Sequence, residues 1–357
     1  VFAPLSLGGF EVTARGEPGK LDMTGGQMQR AAPMKRWIKG AKLLVPVYAG
    51  LTLAIWMLLM IFGDKPLSGL MHAMSTMATS GISSVDGIQN GGAGLAGEGV
   101  IFLFLLFALS RMTFSVDTGA VRRESLILDP EFRLGLLLVA LVPTILFLRH
   151  WVGAIDVNES SDALAALRAA WGGMFTVLSF LTTTGFESAE WHVARDWSGL
   201  SSPGLMLMGL ALVGGGVATT AGGVKLLRVF ALYLQGLGEM ERLVHPSVVI
   251  GNRGGGTGRI RRRGALIAWV FFMLFAISIA AVTVLLTALG SDFEQAMVLA
   301  IATLTTTGPI TQVAAEVPIN LLVLSGWEKL VLCGAMVLGR METLAIIALL
   351  SPDFWHK

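Results

Sequence analysis

Long apolar runs separated by short polar segments dominate the chain. A helix needs roughly 20 mostly apolar residues to cross the hydrocarbon core of a bilayer, and six runs reach or approach that length. They cover residues of about 43–62, 99–116, 134–154, 203–237, 265–290 and 318–350. The pattern therefore predicts an all-α, multi-pass protein whose surroundings are a lipid membrane.

The composition agrees with a membrane protein and argues against a soluble domain and a nucleic-acid-binding protein. Hydrophobic residues make up 54% of the 357 residues and charged residues 14%, whereas soluble domains are about 45–50% apolar and about 25% charged. The 26 basic and 24 acidic residues leave a net charge of +2. Such a balance provides no surplus to neutralise a phosphate backbone, so we expect no nucleic-acid partner.

The distribution of basic residues predicts the orientation in the membrane. Most lysines and arginines lie before residue 43, between 116 and 134 and between 237 and 265. Cytoplasmic loops of membrane proteins carry an excess of these residues. We therefore predict that these segments are cytoplasmic and that the alternate loops lie outside.

One short motif recurs three times between apolar runs, at Met74–Ile82, Leu178–Phe186 and Ile301–Pro309. Each copy follows about ten to fifteen apolar or small residues, which are too few to span a bilayer. The repetition predicts units of helix, re-entrant pore helix, loop and helix around a central ion path. We assign the end of a preceding helix and a cytoplasmic loop to 1–42, and one unit each to 43–133, 134–264 and 265–357.

The ends of the three motifs are the candidate ion-binding residues. Irregular backbone at membrane depth is tolerated only where it is buried in protein or lines a water-filled path. One copy alone is typical of an ordinary threonine-rich helix end, whereas three copies predict a ring of carbonyl and hydroxyl oxygens. Neutral oxygens suit K⁺ or Na⁺, and glycine permits the positive φ that turns carbonyls toward an axis. The predicted filter residues are Ala78, Thr79, Ser80, Gly81, Ile82, Thr182, Thr183, Thr184, Gly185, Phe186, Thr305, Thr306, Thr307, Gly308 and Pro309.

The spacing of the motifs predicts a fourth unit. The aligned glycines are Gly81, Gly185 and Gly308. A further copy at a similar spacing would place its glycine upstream of Val1. Four units would close a ring around the path, so we expect another repeat to precede this sequence.

A glycine-rich segment interrupts the fourth apolar run. Each glycine in a helix costs about 1 kcal/mol relative to alanine, so we predict an unwound loop beneath the second filter motif, where a movable barrier could close the path. The phosphate-loop pattern G-x-x-x-x-G-K-[ST] is absent from the segment. Close helix packing through small residues remains an alternative. The candidate gating residues here are Gly214, Gly215, Gly216, Thr219, Thr220, Gly222, Gly223 and Lys225.

Arg340 lies well inside the last apolar run. A charge at membrane depth is expensive and marks a candidate site, so we predict that Arg340 faces the ion path as a positive barrier; pairing with Glu342 or another acid is the alternative. By contrast, His72 and His192 flank external loops without metal-ligand spacing. No catalytic motif connects the serine, histidine and aspartate residues, so we expect neither enzymatic activity nor a covalently bound cofactor.

Four segments, Thr182–Phe186, Thr305–Pro309, Gly214–Lys225 and Leu338–Glu342, carry a resemblance. They resemble the membrane subunit of the Trk/Ktr/HKT potassium-transporter superfamily, bacterial Trk type. The resemblance implies K⁺ uptake across the bacterial inner membrane, with K⁺ as the transported ligand of the filter. It also implies gating by the glycine-rich loop, Arg340 in the cavity beneath the filter, a homodimer and a cytoplasmic nucleotide-binding regulatory subunit.

A coupled secondary transporter that moves a small solute with Na⁺ or H⁺ is the alternative function. A broken helix is also common in such transporters. Alternating access, however, does not require a narrow oxygen ring in every repeat. The three motifs therefore favour the potassium filter.

Overall fold

The computed structural model describes residues 33–109, 129–153, 163–199, 203–217, 219–244, 258–314 and 318–341. All regular structure within these ranges is helical. The helices are α1 (Pro33–Ile61), α2 (Pro66–Ala78), α3 (Gly94–Leu106), α4 (Pro130–Gly153), α5 (Ala163–Leu181), α6 (Trp191–Ser198), α7 (Pro203–Val213), α8 (Leu226–Val244), α9 (Gly258–Ala288), α10 (Phe293–Leu304), α11 (Ile310–Val313) and α12 (Gly326–Met341).

Four helices of the described part have the length and hydropathy to cross a membrane. The qualifying windows are Leu44–Ile61 in α1, Glu131–Leu148 in α4, Leu164–Leu181 in α5 and Gly264–Ala288 in α9. The prediction of an all-helical protein with several apolar helices is therefore confirmed for the described residues.

The span in α5 was not predicted. The sequence favoured a second pore helix of about ten to fifteen residues, as α2 and α10 have with 13 and 12, but α5 has 19. Alanine is the strongest helix former, and the alanine-rich stretch before Trp171 extends the helix to Ala163. The charge of Arg168 does not prevent this, because its side chain is 54% exposed and reaches toward Glu190.

Helix α1 begins at Pro33, and its spanning window Leu44–Ile61 agrees with the predicted run at 43–62. The predicted limit of the last run requires correction. The run at 318–350 starts with turns, and α12 begins only at Gly326. Ser325 and Glu328 explain this start, because the Ser325 N–H donates to Glu328 Oε2 at 2.6 Å and the Glu328 N–H donates to Ser325 Oγ at 3.3 Å. This reciprocal pair is a capping box, which fixes a helix N-terminus.

The fourth run is interrupted where its glycines predict an unwound loop. Helix α7 ends at Val213, α8 begins at Leu226, and the residues described between them are not helical. The two ends of the interruption lie side by side, because the N–H groups of Val224 and Lys225 donate to the carbonyls of Leu212 and Val213 at 2.9 and 2.8 Å. These bonds satisfy the free carbonyls at the end of α7. The segment is therefore a loop whose two ends are hydrogen-bonded to each other.

Helix α5 lies at the centre of the larger core. Within its spanning window 56% of residues are buried, against 11% in α1, and Phe175, Leu178 and Phe180 are fully buried. A second cluster joins α9, α10 and α12 through Leu286, Leu304 and Leu332. The apolar surface that α1 exposes is suited to lipid, whereas α5 is enclosed by protein and holds its C-terminal motif in a fixed place.

Candidate functional site: three pore-helix ends and the segment beneath them

The three short motifs end their helices in the same backbone turn. Thr79, Thr183 and Thr306 have φ of +47°, +58° and +56°. Each donates its N–H to the carbonyl three residues earlier at 3.1–3.3 Å, and the next residue donates to the carbonyl five residues earlier at 2.9–3.0 Å. These are the two bonds of a Schellman motif. The three copies of the sequence motif therefore share one local backbone structure.

Threonine at the left-handed position is unusual. Schellman motifs normally place glycine there, and a left-handed conformation costs an L-residue about 1–2 kcal/mol. For β-branched residues it is a genuine outlier. Backbone strain of this kind clusters at functional sites, where the surrounding structure enforces it. The sequence placed Thr79, Thr183 and Thr306 in the candidate filter but did not predict their φ, because glycine was expected to carry the positive angles.

The glycines follow that expectation in two copies of three. Gly81 and Gly185 have φ of +68° and +80°. Gly308 does not lie at positive φ and is exposed, so the prediction is wrong there. The physical reason is Pro309, which restricts the preceding residue toward extended conformations and opens the short helix α11.

The ends of the three motifs converge. A Cβ at Gly81 would overlap the carbonyl oxygen of Thr184 and lie 3.2 Å from the Pro309 ring. A Cβ at Gly185 would lie 3.0 Å from both the Pro309 ring and the Thr307 methyl group. The two glycines therefore permit backbone from all three repeats to meet at one point.

Several filter hydroxyls bond to their own helix. Thr182 Oγ1 donates to the Leu178 carbonyl at 3.0 Å and lies 3.1 Å from Thr184 Oγ1. Thr305 repeats this arrangement with Ile301 and Thr307 at 2.7 and 3.2 Å. The first copy has Ala78 at the corresponding position, and its Ser80 Oγ donates to Ser75 Oγ at 3.2 Å. These hydroxyls stiffen the helix ends, and the first end has the fewest such bonds. Of the filter positions not yet placed, Phe186 is buried and Ile82 is exposed.

The interrupted segment lies directly against all three left-handed threonines. The Gly222 N–H donates to Thr183 Oγ1 at 2.8 Å, and Thr220 Oγ1 lies 2.8 Å from Thr79 Oγ1. A Cβ at Gly222 would lie 2.9 Å from Thr306 Oγ1 and would overlap the Thr305 carbonyl oxygen. The glycine is needed here for close approach, so unwinding and small-residue packing occur together.

Charged side chains hold the same segment, two from other helices and one from the end of the segment itself. Arg340 on α12 donates from Nη1 to the Thr220 carbonyl at 2.8 Å while its side chain stays exposed. Glu131 on α4 accepts the Val217 N–H at 2.7 Å, and Lys225 Nζ donates to the Val217 carbonyl at 3.2 Å. Arg340 thus contacts the candidate gate. The alternative partner at residue 342 lies outside the described residues.

The other glycines of the segment make it compact. Gly214 and Gly223 have φ of +74° and +75°. Cβ atoms at Gly215 and Gly216 would lie 2.8 Å from the Ala221 Cβ and 3.0 Å from the Leu109 carbonyl oxygen. Thr219 adds an internal bond, donating to the Gly216 carbonyl at 2.6 Å. The segment is therefore a compact loop with internal contacts rather than an open one.

Two buried carboxylates near the filter ends were missed by the sequence analysis. Asp64 lies 3.2 Å from His72 Nδ1 and accepts the Gly92 N–H at 2.7 Å. Glu98 accepts from Trp171 Nε1 at 2.9 Å and, in the loop after the second filter segment, from Ser188 Oγ and the Ala189 N–H at 2.7 Å each. The sequence signal for each of these carboxylates was a single acidic residue next to an apolar run. His72 lies within α2 and is fully buried, although its sequence position indicated only a loop flank.

Comparison with known proteins supports these observations. A protein-family model described as "TrkH: Cation transport protein" matches residues 97–357. The Trk system potassium uptake proteins TrkH of Halomonas elongata and Vibrio parahaemolyticus are 31% and 29% identical over 100% and 99% of this chain, and each match covers 69% of the relative. The crystal structure of the potassium transporter TrkH from Vibrio parahaemolyticus matches with a TM-score of 0.74 at 27% identity.

The structural match covers 91% of this chain and 66% of the crystallised one. The chain therefore spans about two thirds of the relatives it matches. The family model alone covers well over half of the sequence, and its match includes the second and third filter motifs, the interrupted segment and Arg340. The chain belongs to the TrkH family of cation transport proteins.

Proposed function

We propose that this chain forms a K⁺-selective path of a Trk-type uptake system in the bacterial inner membrane. The observation that carries the proposal is the convergence of three pore-helix ends with the same left-handed threonine turn. Relatives that match 99% or more of the chain are named as Trk system potassium uptake proteins. Together these features favour a cation filter over a coupled solute transporter.

Electrostatics explains why helix ends would build such a filter. The last carbonyls of a helix lack intrahelical partners, and the helix C-terminus carries a partial negative charge. Three C-termini meeting at Gly81, Gly185 and Pro309 concentrate that charge without any ionised group. In this proposal the backbone carbonyls of residues 78–82, 182–186 and 305–309 replace the hydration shell of K⁺.

The segment Gly214–Lys225 is the proposed gate. It contacts Thr79 and Thr183 directly and is held by Arg340 through the Thr220 carbonyl. Conduction requires it to leave the filter ends, and the Arg340 charge beneath them opposes the passage of a cation while the contact persists. We propose that a cytoplasmic nucleotide-binding partner drives this movement and that the protein works as a homodimer.

The repeat architecture of the ion path belongs to the same proposal. Three units supply the three filter segments, and a fourth unit upstream of Val1 stays a prediction. The experiment should therefore use the full natural protein that contains this sequence, expressed together with the other components of its Trk system.

Rubidium uptake tests the proposal in a bacterium that lacks its own potassium-uptake systems. We expect saturable Rb⁺ uptake that K⁺ blocks far more effectively than Na⁺, and loss of that selectivity in Gly185→Val. The absence of cation uptake despite verified membrane expression would contradict the proposal. Unchanged cation selectivity in Gly185→Val, combined with altered uptake of a solute, would support the coupled transporter.

A further inference from the structure

Three polar side chains form a hydrogen-bonded relay behind the first filter segment. Asp64 lies in the turn between α1 and α2, His72 on α2, and Ser83 just beyond the filter. His72 Nδ1 is 3.2 Å from Asp64 Oδ2, and His72 Nε2 is 2.8 Å from Ser83 Oγ. The side chains of His72 and Asp64 are 0% and 2% exposed. The His72–Asp64 pair is thus shielded from solvent, whereas Ser83 is half-buried; none of the three residues belongs to the proposed filter.

The hydrogen-bonding capacity of each group fixes the direction of the relay. An ionised carboxylate only accepts, so His72 donates from Nδ1 to Asp64; a neutral imidazole then accepts at Nε2 from the Ser83 hydroxyl. Ser83 Oγ also accepts the Val85 N–H at 3.2 Å, and its contact with the Gly87 carbonyl is longer, at 3.3 Å. Of the two contacts in which the Ser83 hydroxyl can donate, the one with His72 Nε2 is the shorter.

The same histidine contacts the second filter segment. The His72 ring meets the Phe186 ring edge-on, with centroids 5.9 Å apart and an interplanar angle of 82°. Phe186 is the last residue of the second filter segment, and Ser83 directly follows Ile82, the last residue of the first. One buried side chain therefore connects the outer ends of two segments that come from different repeats.

We propose that His72 is a positioning residue that fixes the first two filter segments relative to each other and thereby sharpens K⁺-over-Na⁺ selectivity. The inference rests on the proposed function and adds a specificity determinant to it. Discrimination between two monovalent cations depends on the spacing and field of the coordinating oxygens. Such geometry is maintained by surrounding hydrogen bonds that lock the groups in place.

The adjacent serines Ser83 and Ser84 provide a matched test. Ser83→Ala removes the hydroxyl that donates to His72 Nε2, whereas Ser84→Ala makes the same change at an exposed neighbour. The readout is the ratio of the Na⁺ and K⁺ concentrations that half-block Rb⁺ uptake. A net hydrogen bond corresponds to about a two- to tenfold change, so we expect Ser83→Ala to lower this ratio about threefold and Ser84→Ala to leave it unchanged.

His72→Asn supplies a second, independent variant. The shorter amide keeps a donor near Asp64 but does not reach Ser83 or Phe186, so we expect at least the same loss of selectivity. Combining it with Ser83→Ala should add nothing, because both changes break one interaction.

The outcomes separate the two hypotheses. Normal Rb⁺ uptake with an unchanged ratio in both variants would overturn the positioning role and leave the proposed function intact. Loss of uptake of all ions in both variants, at normal protein levels, would also overturn it, since it would indicate a general structural role. If the unmodified protein takes up no Rb⁺, the proposed function itself fails.

Discussion

The second and third filter segments share four letters, Thr-Thr-Thr-Gly, and differ in everything that follows. Both end a helix with a left-handed threonine, at Thr183 and Thr306. After that point the second segment continues through a buried glycine at positive φ, Gly185, whereas the third continues through Gly308, which is exposed and not at positive φ. The two segments therefore share the helix end, and the residue after the glycine determines how the chain leaves it.

The surroundings of the two segments differ in the same way. Glu98 holds the loop after the second segment through Ser188 and Ala189. The loop after the third is closed locally, by a bond from Thr311 Oγ1 to the Gly308 carbonyl at 2.9 Å. The loop after the second segment thus depends on a side chain from a distant part of the sequence, whereas the loop after the third is closed by a bond within it. Substitutions should accordingly be more costly in the second.

The largest effect should come from the two glycines. Gly185→Ala forces alanine into a left-handed conformation, at about 1–2 kcal/mol, and places its Cβ 3.0 Å from Pro309 and Thr307; overpacking adds about 1–3 kcal/mol. We expect Rb⁺ uptake to fall at least tenfold. Gly308→Ala meets nothing within 4 Å and should change uptake less than twofold. Equal losses in the two variants would show that the segments are equivalent after all.

The second effect concerns the supports of the two loops. Glu98→Gln replaces one acceptor oxygen with an amide donor that faces Trp171, Ser188 or Ala189, and hydrogen bonds to a charged group are worth about 1.5–3 kcal/mol each. Thr311→Val removes one neutral bond, worth about 1 kcal/mol. We expect the glutamine variant to melt at the lower temperature in detergent. A lower melting temperature for Thr311→Val than for Glu98→Gln would contradict this prediction.

The third effect compares two of the three threonine hydroxyls that face the proposed gate. Thr183 Oγ1 accepts the Gly222 N–H, whereas Thr306 Oγ1 is buried without a hydrogen-bond partner among the described residues. Thr183→Val should cost about 1–3 kcal/mol, because it leaves a buried donor unsatisfied. Thr306→Val keeps the β-branched shape and should be nearly neutral. Thermal unfolding of the two purified variants checks this, and similar melting temperatures would contradict it.

Much of this comparison was accessible from the sequence, and part of it was not. The apolar runs predicted a helical membrane protein, and the glycines of Gly214–Lys225 predicted the interruption. Local composition determines such features directly. It did not predict α5 as a spanning helix, since alanine propensity extends that helix past the charge of Arg168.

Contacts between repeats were beyond local pattern. The interaction of Thr183 with Gly222 joins residues 39 positions apart, and that of Glu98 with Ser188 joins residues 90 apart. Neither pair has a spacing that a motif would show. The positive φ of Thr306 was also hidden, because Schellman ends are expected to use glycine and a glycine stood two residues away. Tertiary packing imposes that strain.

The smallest effect should be a pH dependence confined to the second segment. Phe186 is followed by Glu187, whereas Pro309 is followed by an apolar residue. Burial raises the pKa of Glu187 above its usual 4.5, against the opposing influence of His192, Arg195 and a hydrogen bond from the side chain of residue 89.

Between pH 4.5 and the raised pKa of Glu187, the folded protein binds more protons than the unfolded one. The contribution of this residue to stability is therefore full below pH 4.5 and is lost as the pH rises through the folded pKa. Glu187→Gln removes the titration. The melting temperature of the unmodified protein minus that of the variant should therefore decrease slightly as the pH rises from 4 to 7. A difference that increases over this interval would mean that the carboxylate is stabilised as an anion at the mouth of the second segment, which would make that mouth the more cation-attracting of the two.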